Sequence, residues 1–284
     1  MDKTLIYILG AGRSGTTLLD IILGNSEDVI SLGEVNRFFK RRGIPPKRKE
    51  GEETYVFWEK VKEGIEKKEK IDYEKAKTIS HFHEYHSNIL KAFFGKYKKS
   101  YKTLLTKQYE AIFENTTQHV LIESSKYPAR ALNISRILGE EVIIKYIYLK
   151  KDPVKVVRAF NKKNIEQPRK GFLASNMYYF VVNLFCSLTV LILKKRKHRV
   201  ACIRYEELVG RPLHALEAIS NKLDENFEGS KGKISENMPL STGFLFDGNR
   251  IRLQKELFLR RESSSKPYTL GDYFSRIFNY LIYH

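Results

Sequence analysis

The sequence opens with a short apolar run, residues 4–9, that leads directly into the glycine-containing turn Gly10-Ala-Gly-Arg-Ser-Gly15. The run is rich in strand-forming residues, and Thr16-Thr-Leu-Leu-Asp-Ile-Ile-Leu23 after the turn has the apolar spacing of a helix. Small residues in such a turn let consecutive backbone N–H groups converge on a phosphate at the helix N-terminus. We therefore predict an anion-binding loop, with an ordinary strand-to-helix connection as the alternative.

The rest of the chain alternates between strand and helix patterns. Residues 29–32, 120–122, 141–149 and 199–203 are strand candidates, whereas residues 128–138 and a segment opened by Asp152-Pro153 favour helices. One or two long helices are predicted between residues 84 and 117, and residues 225–236 are interpreted as the longest loop. The pattern predicts one α/β domain over residues 1–284, with three layers and a mainly parallel sheet flanked by helices. A charged helical insertion is expected at about residues 37–117.

The charge balance predicts an anionic ligand without choosing it. Lys and Arg number 51 against 33 Asp and Glu, so the formal net charge is +18. Nucleotides, nucleic acids, anionic lipids and sulfated glycans would all be attracted. No helix-turn-helix, zinc-finger or RNP-like motif occurs, so no nucleic-acid partner is expected. The two cysteines lack metal-ligand spacing and His81, His83 and His86 do not share one helix face, so no metal site is predicted.

The apolar segment 178–193 raises the question of whether the protein associates with a membrane. It is shorter than the roughly 20 residues of a membrane span and is interrupted by Asn183, so it predicts a buried helix. Because Lys194-Lys-Arg-Lys197 follows directly, an interfacial anchor is the alternative, and weak peripheral membrane contact is expected at most. The N-terminus has no hydrophobic signal region, which favours a cytoplasmic protein.

The first loop resembles a known family. A nucleotide-triphosphatase P-loop needs Lys directly after its second glycine, but Thr16 stands there and the cation comes earlier, as Arg13. A basic residue followed by Ser-Gly-Thr-Thr resembles the sulfotransferases that use 3′-phosphoadenosine-5′-phosphosulfate (PAPS). The resemblance implies a P-loop-like fold and a loop that holds the 5′-phosphosulfate. The residues it assigns to this role are Gly12, Arg13, Ser14, Gly15, Thr16 and Thr17.

Two later segments resemble the part of that family's site that binds the 3′-phosphate. Leu149-Lys-Lys-Asp-Pro153 is similar to a strand ending in Arg-Asp-Pro, but Lys151 replaces the arginine and Ala159 replaces the serine that follows one helix face later. Lysine keeps the charge and loses the bidentate fork, and alanine offers no hydrogen bond. Gly248-Asn-Arg-Ile-Arg252 resembles a Gly-Asn-Pro-x-Arg loop. The implied 3′-phosphate residues are Lys151, Arg158, Asn249, Arg250 and Arg252.

A third match, Arg204-Tyr-Glu-Glu-Leu208, resembles the family's Arg-Tyr-Glu-Asp-Leu segment. We interpret it mainly as a strand end and helix cap.

The predicted catalytic residues follow from what sulfuryl transfer needs, which is a base for the acceptor hydroxyl and positive charge for the leaving phosphate. Glu34 lies just after the second strand candidate, at the sheet edge where ligands of α/β folds bind. Family members with a Gly-Glu segment use this glutamate as the base; a helix-capping or surface carboxylate is the alternative. Lys126 stands in a segment that resembles the family's Ser-Lys-x-Pro, and with Arg13 it is expected to stabilise the leaving group. Arg37 lies three residues after Glu34, so on a helix it would share that face and could bind an acidic acceptor or orient the carboxylate; we interpret it as a surface arginine.

The sequence thus predicts a sulfotransferase that moves a sulfuryl group from PAPS to a hydroxyl and releases 3′,5′-adenosine bisphosphate (PAP), without a metal. A carbohydrate, a lipid or another small molecule is the expected acceptor. One alternative is a P-loop kinase that uses ATP. Another is a non-catalytic relative that binds an anion or a glycan, which the net charge and the changes at Lys151 and Ala159 would fit. The oligomeric state cannot be deduced from the sequence.

Overall fold

The computed structural model describes residues 3–68, 70–162, 170–254, 256–259 and 267–284. In this part of the chain five parallel strands form one sheet in the order β2-β3-β1-β4-β5. The predicted α/β fold with a parallel sheet flanked by helices is confirmed. The strands are β1 (Thr4–Leu9), β2 (Val29–Gly33), β3 (Val120–Lys126), β4 (Ile143–Lys150) and β5 (Val200–Arg204).

Strand β1 forms the centre of the fold because both of its faces are covered. All six of its residues are buried; Leu5 and Tyr7 face one hydrophobic core, and Ile6 and Ile8 face the other. A continuous apolar run is what a central strand of a parallel sheet requires. Its C-terminal end, where the glycine turn begins, therefore lies at the middle of one sheet edge.

Helices cover both faces of the sheet. Helices α1, α9 and α10 pack on the face of Ile6, and α6, α8 and the helices between β2 and β3 pack on the face of Leu5. The first helices in chain order are α1 (Thr16–Leu23), α2 (Glu53–Lys68), α3 (Tyr73–Glu84), α4 (Ile89–Phe93), α5 (Lys99–Glu114), α6 (Pro128–Ile137) and α7 (Pro153–Asn161). They are followed by α8 (Phe172–Lys195), α9 (Tyr205–Gly210), α10 (Pro212–Leu223), α11 (Glu228–Ser235), α12 (Leu270–Phe278) and α13 (Tyr280–Tyr283). Short 3₁₀ turns occupy Val35–Arg37, Phe39–Arg41, His86–Asn88 and Arg250–Leu253.

The helices between β2 and β3 are joined to the sheet by a buried polar network. Arg130 of α6 forms an ion pair with Glu123 of β3 at 2.6 Å and a second one with Glu84 of α3. The Tyr101 hydroxyl donates to Glu84 at 3.1 Å, and the Tyr109 hydroxyl donates to Glu123. All five side chains are fully or almost fully buried. Because buried charges need partners, each member of the network depends on the others.

Residues 228–235 form helix α11 within the segment 225–236 that was expected to be a loop, so that prediction is wrong over the helix. Helix α11 packs closely on the turn after α1. A Cβ on Gly229 would lie 3.0 Å from the Cα of Ser26, and the buried Ser230 hydroxyl donates to the carbonyl of Ile22 at 2.6 Å. These tertiary contacts outweigh the low helix propensity of Glu228-Gly-Ser-Lys-Gly-Lys-Ile-Ser235.

The prediction of one or two long helices between residues 84 and 117 is confirmed in part, because one long helix, α5, and one short helix, α4, lie there. Helix α3 ends at Glu84, and a short helix α4 precedes the longer α5. The chain breaks between them at Gly95, which has φ +69°, a value that side chains rarely adopt. Local backbone geometry, and not the apolar spacing, sets these boundaries.

Helix α8 is only partly buried, although its apolar sequence predicted a buried helix. Among the described helices it alone has the length and hydropathy of a membrane span, and 44% of its most apolar stretch is buried. Its inner face packs on the sheet: Cys186 and Leu193 are fully buried, and the Tyr148 hydroxyl of β4 donates to the Asn183 side chain at 3.0 Å. Its outer face is exposed to solvent.

Candidate active site

A cavity of about 780 Å³ opens at the C-terminal edge of the sheet. In the strand order, β2 and β3 lie on one side of β1 and the predicted loop, and β4 lies on the other, so Glu34 and Lys126 line one end of the cavity and Lys151 and α7 line the other. The segment after α11 contacts the predicted loop, where the Asn249 N–H donates to Thr17. Of the predicted site residues, those that line it are Arg13, Gly15, Thr16, Thr17, Glu34, Lys126, Lys151, Asn249 and Arg250. The structure thus brings together, from five segments of the chain, most of the residues that the motifs singled out.

The glycine turn is shaped by close packing as well as by φ. Arg13 has φ +68° and Gly15 has φ +91°, so two left-handed residues reverse the chain before α1. A Cβ on Gly15 would lie 2.4 Å from the ring of Tyr205, and a Cβ on Gly10 would lie 2.9 Å from the Leu149 carbonyl oxygen. Tyr205 is therefore more than part of a strand end and cap: its ring supports the turn. Sequence reasoning missed this role.

Polar groups of the turn point to an anionic ligand. The hydroxyls of Ser14 and Thr16 are buried and have no hydrogen-bond partner among the described residues. The Thr17 hydroxyl accepts the N–H of Asn249 at 3.2 Å, and the N–H of Gly12 donates to the Tyr178 hydroxyl at 3.0 Å. Since α1 begins at Thr16 without a side-chain cap, its first N–H groups and the unused hydroxyls fit an anion such as a phosphate.

Glu34 and Lys126, the predicted base and cation, are in direct contact. The Lys126 ammonium forms an ion pair with one carboxylate oxygen of Glu34, and the Arg37 Nε lies 2.7 Å from the other. Only 5% of the Glu34 side chain is exposed. Its position follows from a sharp turn at Gly33, which has φ +74° and where a Cβ would meet the Asp247 carbonyl oxygen at 2.6 Å. Backbone packing therefore orients Glu34 into the cavity wall.

Asp247 holds a cluster of arginines behind Glu34. Its carboxylate lies 3.1 Å from Arg37, 3.6 Å from Arg41 and 3.2 Å from Arg252. Burial raises the pKa of the Asp247 carboxyl, but Arg37, the Gly248 N–H, Arg252 and Arg41 outweigh burial and lower it. Arg37 is thus not a plain surface arginine, because it bridges Glu34 and Asp247. It acts as a positioning group for the predicted base.

The structure places Arg158 and Arg252 away from the cavity lining. Arg158 forms a bidentate ion pair with Asp272 of α12, with distances of 3.0 and 2.7 Å. Arg252 is buried and contacts Asp247 and the carbonyl oxygen of Pro46. Lys162, at the end of α7, does line the cavity and was not predicted, because it belongs to no motif.

Aromatic rings hold two of the cations that line the cavity. The Lys151 ammonium lies 3.5 Å from the centre of the Tyr205 ring. The Arg13 guanidinium lies 5.1 Å from the Phe160 ring, and burial lowers its pKa. A cation near a ring face keeps its charge while its position is restricted. Ala159, at the position of the family's serine, also lines this part of the cavity.

The histidines belong to aromatic packing. The rings of His81, His83 and His86 lie 4.7 Å from those of Tyr85, Tyr101 and Tyr127, respectively. Burial lowers the pKa of His86 to about 4, so its ring is neutral at neutral pH. Within the ranges described above, no group of three or more His, Cys, Asp and Glu side chains is placed to hold a metal ion.

Comparisons with known proteins agree with this site. Residues 6–229 match the sequence profile of the Sulfotransferase family, so the chain belongs to the sulfotransferase family. The structure resembles the sulfotransferase domain from the curacin biosynthetic pathway, with a TM-score of 0.53 and 17% identity over 99% of this chain and 98% of that one. It also resembles sulfotransferase STF9 from Mycobacterium avium, with a TM-score of 0.50 and 11% identity over 83% of this chain and 69% of that one. No curated protein sequence matches the chain.

Family membership supports sulfuryl transfer as the chemistry of this cavity. The identities to the solved structures are low, so those structures support the fold, and the residue roles rest on the geometry. That geometry combines an anion-binding turn, a carboxylate and a contacting ammonium in one cavity. It can hold an anionic donor, take a proton and place positive charge beside a leaving group.

Proposed function

We propose that this protein is a PAPS-dependent sulfotransferase that acts on a hydroxyl group. The observation that carries the proposal is the contact between Glu34 and Lys126 in the same cavity as the anion-binding turn. A base and a cation beside a phosphate-binding turn are what transfer between an alcohol and a phosphosulfate requires.

In the proposed reaction the Glu34 carboxylate accepts the proton of the acceptor hydroxyl. The hydroxyl oxygen forms a bond to sulfur as the bond between sulfur and the 5′-phosphate oxygen breaks, and PAP leaves with the bonding electrons. Lys126 and Arg13 stabilise the negative charge that develops on the leaving phosphate. Arg37 keeps the Glu34 carboxylate in place during proton transfer. The cations lining the cavity provide the positive charge, and the proposal uses no metal ion.

The proposed donor site divides between the two ends of the cavity. Amides and hydroxyls of residues 13–17 hold the 5′-phosphosulfate, whereas the Gly12 N–H is used by Tyr178. Lys151, Asn249 and Arg250, joined by Lys162, bind the 3′-phosphate. Arg158 and Arg252 have no part in this site, since both are held by carboxylates elsewhere. A cavity of about 780 Å³ has room for a nucleotide of this size.

The proposed acceptor is a small molecule, a carbohydrate or a lipid that reaches Glu34 from a side rich in aromatic rings. Tyr127 directly follows Lys126, whose ammonium contacts Glu34, and burial, followed by the negative charge of Glu34, raises the pKa of the Tyr127 hydroxyl. His86 lies between Tyr127 and Tyr178, at ring distances of 4.7 and 6.5 Å. Aromatic faces of this kind pack against sugar rings and apolar groups.

Calorimetric titration with PAP, and separately with ATP and magnesium at the same salt concentration, tests the donor assignment. We expect tight binding of PAP and weak binding of ATP. Preference for ATP would replace the proposal with a kinase, which Thr16 disfavours because it stands where a P-loop has lysine. Absence of binding to both would favour a non-catalytic relative. The preserved contact between Glu34 and Lys126 argues against that alternative.

A further inference from the structure

Helix α12 has its polar and apolar faces reversed. Asp272, Ser275 and Asn279, at the end of the helix, are buried, whereas Leu270 is 90% exposed and Ile277 is 77% exposed. A surface helix of a soluble domain normally turns its apolar stripe towards the core and its polar side chains towards water. An inverted helix indicates that something apolar covers its outer face.

Specific hydrogen bonds fix this orientation. Asp272 accepts from Arg158 at 2.7 and 3.0 Å and caps the helix through Thr269. The Asn279 side chain donates to that of Asn176 in α8 at 2.9 Å. Because these buried polar groups are matched to partners in α7 and α8, rotating the helix to bury its apolar stripe would break them.

Helix α8 is apolar on both of its faces. Its inner face buries Cys186 and Leu193 together with the polar Asn176, Asn183 and Thr189. Five apolar positions of its outer face are exposed or half-exposed and lie within a sector of about 60° on a helix of 3.6 residues per turn, with the half-exposed Ser187 beside them. These outer positions are Leu173, Met177, Leu184, Leu188 and Leu191.

The two outer stripes form one surface. The ring of Phe172 lies 5.7 Å from that of Phe274, and the ring of Phe180 lies 5.6 Å from that of Phe278, so α8 and α12 are packed side by side. We refer to the joined stripes, together with the exposed Leu281 of α13, as the outer apolar surface, and its exposed members include Leu173, Met177, Leu191, Leu270, Ile277 and Leu281. Exposed patches of this extent mark sites of interaction.

Charge around the outer apolar surface identifies the partner. Four exposed cations, Lys194 to Lys197, follow α8 directly, and Arg276 is exposed on α12. Residues 170–197 contain no Asp or Glu, and the one acidic residue of 267–284, Asp272, is buried in its ion pair with Arg158. An apolar stripe bordered by cations and without anions is complementary to the acyl and headgroup regions of an anionic bilayer.

We propose that the outer apolar surface binds the interface of a membrane that contains anionic lipid, with α8 and α12 lying along the bilayer. The helix α8 does not cross it, because its inner face is part of the core through Cys186 and Leu193. A second copy of this chain on the same surface would bring like charges together at Lys194 to Lys197. This proposal stands apart from the sulfotransferase chemistry and uses none of its residues.

Flotation of the full-length protein with vesicles tests the proposal. We expect the protein to float with vesicles of phosphatidylcholine and phosphatidylglycerol, and to float much less with phosphatidylcholine alone. The triple substitution Leu270→Gln, Ile277→Gln and Leu281→Gln should lower the bound fraction by about tenfold or more, since each side chain would otherwise enter the interface. The pair Lys194→Gln and Lys195→Gln should reduce the preference for the anionic vesicles.

A matched control uses exposed apolar residues on the other side of the sheet. Leu213 is 43% exposed at α10 and Met238 is 46% exposed after α11, and the pair Leu213→Gln and Met238→Gln should float like the unchanged protein. Circular dichroism and the melting temperature check that each variant folds. Should the triple variant be unstable, the pair Leu173→Gln and Leu191→Gln removes the α8 part of the surface instead.

Three results would overturn the proposal. The folded protein could fail to float with anionic vesicles, or the variants of the outer apolar surface could float as well as the unchanged protein. The third is a concentration-dependent dimer in sedimentation that the triple substitution abolishes, which would show that a second copy covers this surface.

Discussion

The two ends of the cavity are built differently. At the end that contains Glu34, this carboxylate forms ion pairs with Lys126 and Arg37, and Arg37 forms a second one with Asp247. The Glu34 and Asp247 carboxylates are almost fully buried. At the other end Lys151 lies against the Tyr205 ring, and Lys162 is exposed. The first end is therefore held by several ion pairs before a ligand arrives, whereas the second is more open to solvent. Changes at the first end should impair turnover, and changes at the second should weaken binding.

The largest effect is expected for Glu34→Gln. The amide keeps the shape of the side chain but cannot accept the hydroxyl proton, so turnover should fall by about 10³-fold or more. Affinity for PAP should stay within about threefold, because the donor contacts are elsewhere. Turnover is measured as PAP released from PAPS with a mixture of hydroxyl acceptors. Glu217→Gln, an exposed change on α10, is the control, and normal turnover of Glu34→Gln would remove this residue from the mechanism.

Lys126→Met should have the next largest effect. Loss of the ammonium removes charge stabilisation of the leaving phosphate, and turnover should fall by about 10²-fold. Lys155→Met on α7 is the matched control and should change turnover little. If Lys126→Met weakened PAP binding as much as it slowed turnover, Lys126 would contribute to donor binding and not specifically to stabilising the leaving phosphate.

Asp20 provides a test of how the backbone just before Glu34 is held in place. It is fully buried in α1, its carboxylate accepts the Gly33 N–H at 3.1 Å just before Glu34, and burial raises its pKa to about 7. The raised pKa means that the folded protein retains a proton between about pH 4 and 7 that the unfolded chain has released. This group therefore reduces stability as pH rises through that window, by about 1.4 kcal/mol per pH unit at most.

The variant Asp20→Asn should lack this pH-dependent loss. Denaturant unfolding at several pH values between 5 and 8 measures the free energy of unfolding of both proteins. We expect the difference between them to shift in favour of the variant as pH rises to about 7 and to level off above it. Parallel curves for the two proteins would contradict the raised pKa.

The smallest effect is expected for Lys151, at the end of the cavity away from Glu34. Lys151→Ala should raise the Kd for PAP about tenfold, as expected for the loss of one charged contact to a phosphate. Arg158→Ala should leave that Kd unchanged, because this arginine is paired with Asp272. Calorimetric titration of both variants gives the comparison directly. A larger effect at Arg158 than at Lys151 would restore the assignment that the motif implied.

Local sequence patterns were sufficient to predict the strands of the sheet and most of the residues that line the cavity. The apolar run of β1, the glycine turn and Asp152-Pro153 each carry their structure in a few adjacent residues; Asp152 indeed caps α7 by accepting from the amides of Val154 and Lys155. Glu34 was found because it follows a strand, and parallel strands end at one edge. Lys126 and Lys151 were found through the resemblance to family segments, and they end β3 and follow β4 at that same edge.

Contacts between distant segments could not be predicted in this way. Tyr205 supports Gly15, and Arg37 bridges Glu34 to Asp247 across about two hundred residues of sequence. Arg252 matched a motif, yet its guanidinium is used by Asp247 within its own turn. A motif specifies only the residue type at a position. Whether the Arg252 side chain contacts a ligand or Asp247 depends on which residues folding brings beside it.

The buried network around Arg130 limits how this enzyme could be re-engineered. The helices between β2 and β3 look exchangeable, since they occupy one continuous stretch of sequence. Yet Glu84 of that stretch forms an ion pair with Arg130, and Tyr109 donates to Glu123, and both partners lie outside the stretch. A chimaera that imports foreign helices there would leave the Arg130 guanidinium facing unsuited groups in the core. Replacing these helices with those of another protein would therefore also require α6 and the middle of β3 from that protein.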